Sequence, residues 1–232
     1  MITFDGVDIR SVANIKIEDV LVSQIEHNPA TRPRAIQPGS FFVRNHLGTR
    51  SVAITFALLT QNKIQRQAEL MALAEWAKDD KEYKLLLPNY PEHYLMAVCT
   101  VKPDPSLRQW WENGLRIMFT CYENPFWNSI AEKSASCGTS FRVLGDAPPL
   151  MRIERTLSAS ASDQSYALDG NTMTFSKIPA GDMVIDINRQ TAVVGSTDIM
   201  PYYNVNSRFI VPRTGSQTIT GTGAVVYRER WQ

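Results

Sequence analysis

Apolar and polar residues alternate with a period of two along most of the chain, a pattern typical of half-buried β-strands. The clearest stretches are residues 12–25, 50–60 and 115–122. Asp19 interrupts the apolar face of the first stretch and predicts a β-bulge there. Another strand begins at Tyr94. The pattern therefore predicts a mainly β protein.

One segment, at about 62–79, has helical spacing instead. Asn62 is a good N-cap residue, and Gln65 follows three residues later, which is the spacing of a capping box. Leu70 and Leu73 lie on the same face of the predicted helix. We expect this helix to pack on a sheet.

The composition changes at residues 131–140, where small polar residues predominate and large apolar ones are absent. This predicts a linker between a first domain, 1–130, and a second, 141–232. Beyond the linker only strands are predicted, at regular intervals and separated by turn signals, which favours a β-sandwich.

Two hairpins stand out in the second domain. Asp169–Gly170 lies between two alternating runs, and such a pair favours a tight turn with positive φ angles. A second hairpin is predicted across 183–194. Residues 208–211 and 224–231 are interpreted as further strands.

The segment 28–50 is the least typical of its surroundings. It begins with several prolines, continues into an apolar triplet at Phe41, Phe42 and Val43, and lies between two predicted strands. It is too long for a tight turn, and it contains arginines but no acidic residue. Arms of this kind usually lie against a neighbouring molecule, where arginine is favoured. A solvated loop is the alternative.

Charge is balanced over the whole chain. The 232 residues contain 24 lysines and arginines against 23 aspartates and glutamates, a formal net charge of +1. The first 130 residues carry 14 of each sign, and the remainder carry 10 basic and 9 acidic residues. A dedicated nucleic-acid binder usually has a basic excess, so sequence-specific nucleic-acid binding is not expected.

Other sequence signals predict no exported, membrane-bound or metal-binding protein. Cys99, Cys121 and Cys137 form no CxxC pair, so we expect buried thiols and neither a disulfide framework nor a zinc site. The start, MITFDGVDIR, does not have the pattern of a signal peptide. No run of 18 apolar residues occurs that would cross a membrane.

The chain contains no recognisable catalytic motif, and we predict no catalytic residue, no metal site and no cofactor. His27, His46 and His93 lie beside loop signals and are interpreted as loop histidines. Aromatic doublets such as Tyr202–Tyr203 are typical of residues shared between a core and a subunit contact.

A series of motifs runs through the chain. It includes the opening ITFDGVDI, Pro38–Gly39, Val43–Arg44, and Leu47–Gly48–Thr49–Arg50 running into SVAITFALL. It continues with Ala74–Glu75–Trp76 at the helix end, the stretch ending at Trp127, and the terminal VVYRERW. The order of these motifs resembles the distal tail protein family of phages with long, non-contractile tails that infect Gram-positive bacteria. Asn124 stands where the resemblance suggests an aspartate. The resemblance is stronger over 1–127 than over 138–232.

This resemblance implies a structural protein and not an enzyme. It implies a β-sandwich or barrel-like first domain, related to tail-tube proteins, that forms a homohexameric ring, and a galectin-like β-sandwich as the second domain. The ring would join the major tail tube protein to the tail-tip hub protein and act as a platform for receptor-binding or baseplate proteins. The implied location is the virion tail tip, after assembly in the host cytoplasm.

The resemblance and the segment 28–50 together give a hypothesis for ring contacts. The candidate oligomer-interface residues are Phe41, Phe42, Arg44 and Arg50. If DNA passes through the ring, we expect a lumen that is neutral or acidic, with these arginines directed at protein.

Two other functions stay open. The second domain would act as a carbohydrate-binding module on the host cell wall if Tyr202, Tyr203 and Trp231 stacked on sugar rings, but no histidine-containing galactoside signature is present. A cell-wall hydrolase would need a pair of positioned carboxylates, and none is recognisable.

Overall fold

The structure is a computed structural model that describes residues 1–33, 40–103 and 115–232, with only the backbone described at 30–33 and 40–46. It divides into two compact units, Met1–Trp127 and Asn128–Trp231. The residues of the predicted linker belong to the second unit, and four of them, Lys133–Ser136, form a strand. This strand pairs with the last strand of the chain, Ala224–Trp231, at the other end of the second unit's sequence, so the small polar side chains gave no local strand signal.

The first unit contains nine strands and two helices among its described residues, and one more strand spans the boundary between the units. The strands are β1 (Thr3–Phe4), β2 (Val7–Asp8), β3 (Ile15–Val22), β4 (His27–Pro33), β5 (Ser40–Leu47), β6 (Arg50–Leu58), β7 (Tyr83–Leu86), β8 (His93–Val101), β9 (Leu115–Cys121) and the boundary strand β10 (Trp127–Ser129). The helices are α1 (Ile9–Val12) and α2 (Lys63–Trp76).

Strand β8 joins two antiparallel sheets of the first unit. Its first half pairs with β7, which continues through β1 to β2, while its second half pairs with β9, which continues through β6 to β3. The partner of β8 changes from β7 to β9 between Ala97 and Val98, and the register with β9 then shifts between Cys99 and Val101. A second shift, between Ile17 and Asp19, confirms the predicted bulge.

Aromatic rings connect these two sheets. The Phe4 ring lies 4.8 Å from that of Phe119, and Trp76 of α2 packs edge-on against both, at 5.7 and 6.0 Å. Phe4 and Phe119 are fully buried. Such contacts add about 0.5–1.5 kcal/mol each beyond area burial, so they fix α2 against the sheets.

Helix α2 begins where the sequence predicts and ends three residues early. The Asn62 side chain accepts hydrogen bonds from the backbone amides of Ile64 and Gln65, at 2.9 and 3.4 Å, which confirms the N-cap. At the other end the Trp76 indole donates to the carbonyl of Val7, and the chain leaves the helical path.

The second unit consists of strands and one short 3-10 helix, Met200–Tyr202. The strands are β11 (Lys133–Ser136), β12 (Phe141–Val143), β13 (Ala147–Leu157), β14 (Ala161–Leu168), β15 (Asn171–Ile178), β16 (Gly181–Asp186), β17 (Thr191–Val194), β18 (Thr197–Asp198), β19 (Gly215–Gln217) and β20 (Ala224–Trp231).

These strands form two layers around one core. One layer is an antiparallel sheet in the order β18–β17–β16–β13–β20–β11, and the other contains the β14–β15 hairpin and the β12–β19 pair. Residues Ile153, Met173, Phe175, Ile185 and Val225, drawn from both layers, are fully buried in the shared core. The arrangement is the predicted β-sandwich.

The tight turn of the β14–β15 hairpin is the one predicted. Asp169 and Gly170 have φ angles of 50° and 83°, and two successive positive values match the twist of the flanking strands. Residues 208–211 differ from expectation, because they form no strand. Ile210 is buried, but Val211 is 61% exposed, so the alternation reflects a segment anchored by single side chains.

Candidate functional site

The described residues of the segment 28–50 fold mainly as a pair of antiparallel strands, which the sequence did not predict. Strand β4 pairs with β5 from His27 opposite Leu47 to Pro33 opposite Ser40, and the register shifts after Ala30. In the part of the chain that the structure describes, these strands form a separate two-stranded sheet. We refer to β4 and β5 as the β4–β5 hairpin.

Backbone hydrogen bonds hold the base of this hairpin. The amide of Glu26 donates to the carbonyl of Thr49 at 3.0 Å, and the amide of Gly48 donates to the carbonyl of Glu26 at 2.7 Å. One step further in, the amide of Ser51 donates to Ser23 Oγ at 2.8 Å. The hairpin therefore continues directly from the paired strands β3 and β6.

Gly48 allows the two chains to approach closely at this base. A Cβ atom at residue 48 would lie 2.9 Å from Glu26 Cβ, 3.3 Å from the Glu26 carbonyl oxygen and 2.7 Å from Asn28 Nδ2. Carbon atoms do not normally approach so closely, so any other residue would push the strands apart. The glycine in the Leu47–Arg50 motif thus has a packing reason.

Arg50, a predicted interface residue, begins strand β6 and is only 3% exposed. Its guanidinium carbon lies 5.6 Å from the centre of the Trp127 ring, within the range of a cation–π contact. The Trp127 ring also packs against the ring of Tyr90, and the two ring centres lie 4.2 Å apart. Arg50 therefore packs inside the first unit and has little surface to offer to another subunit.

The other three predicted interface residues lie on β5. Phe41 pairs with Arg32, Phe42 with Thr31, and Arg44 with Ala30 in the backbone register. Their side chains lie outside the described part of the structure. Their assignment to an interface stays a prediction.

The aromatic residues predicted to stack on sugars occupy different environments. The ring of Tyr203 packs against Phe175 and Phe209, with centres 5.6 and 5.0 Å away. Tyr202 is 39% exposed, and Trp231 is partly buried at the end of β20. Tyr203 therefore serves the core of the second unit, and Tyr202 is the more accessible ring.

A cluster of charges at the start of the second unit was not predicted from the sequence. Glu132 accepts two hydrogen bonds from Arg152, at 2.7 and 3.0 Å, and one from Arg228 at 3.0 Å. Arg228 also donates to the carbonyls of Ser129 and Ile130. These residues are separated by up to 99 positions, so no local spacing connects them.

The guanidinium groups of Arg152 and Arg228 favour the charged form of Glu132. The hydrogen bonds from Arg152 are the largest cause that lowers the pKa of Glu132, and the nearby charge of Arg228 lowers it further. Glu132 in turn raises the pKa of Arg152. The cluster thus holds residues 129–132 against β13 and β20 as an ion-paired network.

The cysteines lie where small apolar residues would. Cys99 and Cys121 are buried, and this burial raises the pKa of their thiols to about 11 and about 12. Within the described ranges, no group of three or more His, Cys, Asp or Glu side chains is placed to hold a metal ion. No helix in those ranges is long and apolar enough to span a bilayer.

Together the units define a class of fold: a two-domain, antiparallel β protein whose first domain carries a helix and a separate two-stranded sheet. The Dit protein of phage SPP1, described as a paradigm of the hub adsorption apparatus in phages that infect Gram-positive bacteria, has a similar fold. The match has a TM-score of 0.78 at 16% identity and covers 100% of this chain and 98% of that one.

More distant matches involve the baseplate of phage p2 in its activated conformation. Two chains from structures with strontium and with calcium give TM-scores of 0.45 and 0.46, at 7% and 6% identity. They cover 93% and 95% of this chain, and 90% and 91% of their own lengths. No protein-family model matches the chain, and no curated protein matches its sequence.

The SPP1 match confirms the predicted fold class. The chain is mainly β, with a first unit that contains helix α2 and a β-sandwich as the second unit. At 16% identity the likeness concerns the fold.

Proposed function

We propose that this chain is a structural component of a phage tail tip, a distal tail protein. The observation that carries the proposal is the likeness of fold to SPP1 Dit over essentially the full length of both chains. A shared fold does not by itself define a function, so the site must also fit. The β4–β5 hairpin supplies that second argument.

The hairpin has the features of an element completed by a neighbour. A two-stranded hairpin alone is marginally stable in water, and β4 and β5 form a sheet of their own in the described structure. Pro29 and Pro33 lack an amide hydrogen, which limits pairing along β4. We infer that β5 makes the contact with a second copy.

A closed ring requires a heterologous contact, in which one surface of a subunit meets a different surface of the next. The β4–β5 hairpin of one subunit would meet the body of its neighbour, repeated around a six-fold axis. Phe41, Phe42 and Arg44 are the residues proposed for this contact. Arg50 is not retained, since it is buried in its own unit.

The proposed ring would join the tail tube protein to the hub protein at the virion tail tip. The second unit would serve as the platform for receptor-binding or baseplate proteins. Because the chain is nearly neutral, with a formal charge of +1, the lumen is proposed to be neutral or acidic, so that it does not retain DNA. Assembly is proposed to occur in the host cytoplasm.

The mass of the purified protein in solution and its negative-stain images together test the proposed ring. Six copies of the 26.1 kDa chain have a mass of about 157 kDa, and negative-stain images of such an assembly should show rings with a central hole. Deleting residues 30–46 should leave a folded chain of monomer mass, because the hairpin base and both units stay intact. Rings that persist after this deletion would refute the interface assignment, and a compact monomer of the full chain would refute the ring.

A milder variant separates side chains from backbone. The combined changes Phe41→Ala, Phe42→Ala and Arg44→Ala keep the hairpin strands but remove the proposed contact groups. Loss of a few central contacts typically weakens an interface by about 2 kcal/mol or more, roughly 30-fold in the dissociation constant. Lys177→Ala, an exposed change on β15, is the matched control and should keep the ring.

A further inference from the structure

A polar groove lies on the surface of the second unit, along strand β15. Its volume is about 440 Å³, within the range of about 300–1,000 Å³ typical of small-molecule sites. One wall is β15 and the other is the segment 204–208. The lining residues are Gly170, Asn171, Thr172, Thr174, Asn204, Asn206, Ser207 and Arg208.

Hydrogen bonds fix the two walls against each other. The amides of Asn204 and Arg208 donate to the carbonyls of Thr174 and Thr172, at 2.9 and 2.8 Å. Ser207 Oγ donates to the carbonyl of Asn204 at 2.6 Å and accepts from the amide of Thr174 at 3.3 Å. The groove is therefore pre-formed, which reduces the entropy that a ligand must overcome on binding.

Hydrogen bonds within residues 204–207 also fix the shape of that wall of the groove. Asn204 Oδ1 accepts a hydrogen bond from the amide of Asn206 at 2.9 Å, and the amide of Ser207 donates to the carbonyl of Asn204 at 2.9 Å. Asn204 and Ser207 thus have structural roles.

Five lining side chains have no such role. The side chains of Asn171, Thr172, Thr174, Asn206 and Arg208 make no hydrogen bond or ion pair with any described residue. Two amides and two hydroxyls can each donate and accept, whereas the guanidinium only donates and always carries a charge. The groove therefore combines neutral two-way groups with a single fixed positive charge.

We propose that this groove binds a polyhydroxylated ligand with one negative group, such as a sugar phosphate or an acidic sugar. Ligand hydroxyls both donate and accept, which matches the amides and the threonine hydroxyls. A phosphate or carboxylate would take paired hydrogen bonds from the planar guanidinium of Arg208. The site involves none of the aromatic residues discussed above and lies wholly in the second unit, so it does not depend on ring formation.

The chemistry of the site predicts which probe binds best. Glucose 6-phosphate and glucuronic acid should both bind the full-length chain more tightly than glucose, and inorganic phosphate alone should bind more weakly than glucose 6-phosphate. Titrations followed by saturation-transfer NMR measure the weak affinities of the three sugars, and inorganic phosphate, which has no carbon-bound proton, is measured by its competition with glucose 6-phosphate. The first two probes distinguish a phosphate from a carboxylate as the preferred anion.

Substitutions assign the two kinds of contact. Arg208→Ala should weaken glucose 6-phosphate by about tenfold, the typical loss of one charge-assisted contact, and leave glucose unchanged. Thr174→Val should weaken both probes. Arg142→Ala is the control, because Arg142 is exposed on β12 and its side chain makes no hydrogen bond or ion pair with the described residues. A thermal midpoint equal to that of the wild type verifies the fold of each variant.

Three outcomes would overturn the proposal. They are absence of glucose 6-phosphate binding to the wild-type chain, equal binding by the Arg208→Ala and Arg142→Ala variants, and binding of inorganic phosphate as tight as that of glucose 6-phosphate. The mass of the same samples, measured in parallel, reports on the ring independently.

Discussion

Two hairpins of similar length, β14–β15 and β4–β5, differ in the burial of their described residues. Strands β14 and β15 place alternate side chains, including Tyr166, Met173 and Phe175, into the buried core of the second unit. The described residues at the base of the β4–β5 hairpin are exposed instead. His27 and Asn28 face solvent, and Leu47 is 45% exposed.

This difference in burial predicts which hairpin matters for folding and which one matters for assembly. The β14–β15 hairpin is stabilised by its own unit, so changes within it should lower the stability of that unit. For the β4–β5 hairpin the described contacts with the first unit are the hydrogen bonds at its base, so we expect changes within it to affect association and to leave the unit folded. A hydrophobic side chain is expected to matter for folding only where its own chain buries it.

Phe175→Ala should give the largest effect. The side chain is fully buried and contacts the Tyr203 ring, and truncation of a buried phenylalanine typically costs about 3–5 kcal/mol. Hydrogen exchange measured on peptides should show loss of protection in the second unit and little change in residues 1–127. Lys177→Ala, two residues away on the same strand and exposed, should leave protection unchanged.

A stable second unit in the Phe175→Ala variant would mean that the β14–β15 hairpin does not depend on the core. The contrast between the two hairpins would then have no basis in burial.

Gly48→Ala should give a smaller effect on a different property. The new methyl group would lie 2.9 Å from Glu26 Cβ, and overpacking of this kind typically costs about 1–3 kcal/mol. A free subunit relieves the strain by opening the hairpin base, whereas an assembled subunit must retain its geometry. Association should therefore weaken by roughly 5- to 150-fold, with no change in thermal midpoint under conditions where the chain is monomeric.

Thr49→Val is the control for this change. It removes only a long contact of 3.4 Å to Glu26 and adds no atom at the tight position. Mass photometry over a range of concentrations compares the two variants. Equal association of Gly48→Ala and Thr49→Val would mean that the packing at the hairpin base does not affect assembly.

The β14–β15 hairpin was predictable from the sequence, and the β4–β5 hairpin was not. Alternation and the Asp169–Gly170 turn define β14–β15, because burial of one face and positive φ angles both select residue types. In the segment 28–50 prolines occupy strand positions and the apolar residues cluster at 41–43, so no alternating pattern marks the two strands. The base required Gly48, but only the structure shows which residue it approaches.

Polar contacts between distant residues were equally hidden. Glu132 lies in a segment that reads as a linker, and its two arginine partners are on β13 and β20. The polar groove combines β15 with a segment about 30 residues further along. Sequence reasoning identifies local periodicity and turn chemistry, but the pairing of charges across strands depends on the completed sandwich.

Glu132→Gln should give the smallest effect, a slight loss in the stability of the second unit. The carboxylate is partly exposed, with 32% of its side-chain surface accessible, so loss of its charge-assisted bonds should cost about 1 kcal/mol at pH 7. Glu154→Gln is the matched control. Glu154 makes a single contact with Arg152 and is more exposed, at 41%, so its effect should be smaller.

The pH dependence of this difference gives the sharper test. The folded pKa of Glu132 is lowered by its arginines. Its contribution is therefore fully present above the ordinary glutamate pKa of about 4.3, and it is lost as the pH falls through the lower folded value. Stability of the second unit, followed by hydrogen exchange, should differ between wild type and Glu132→Gln at pH 7 and converge toward pH 3. An equal difference at both pH values would mean that the glutamine disturbs packing, and that ion pairing does not support this part of the unit.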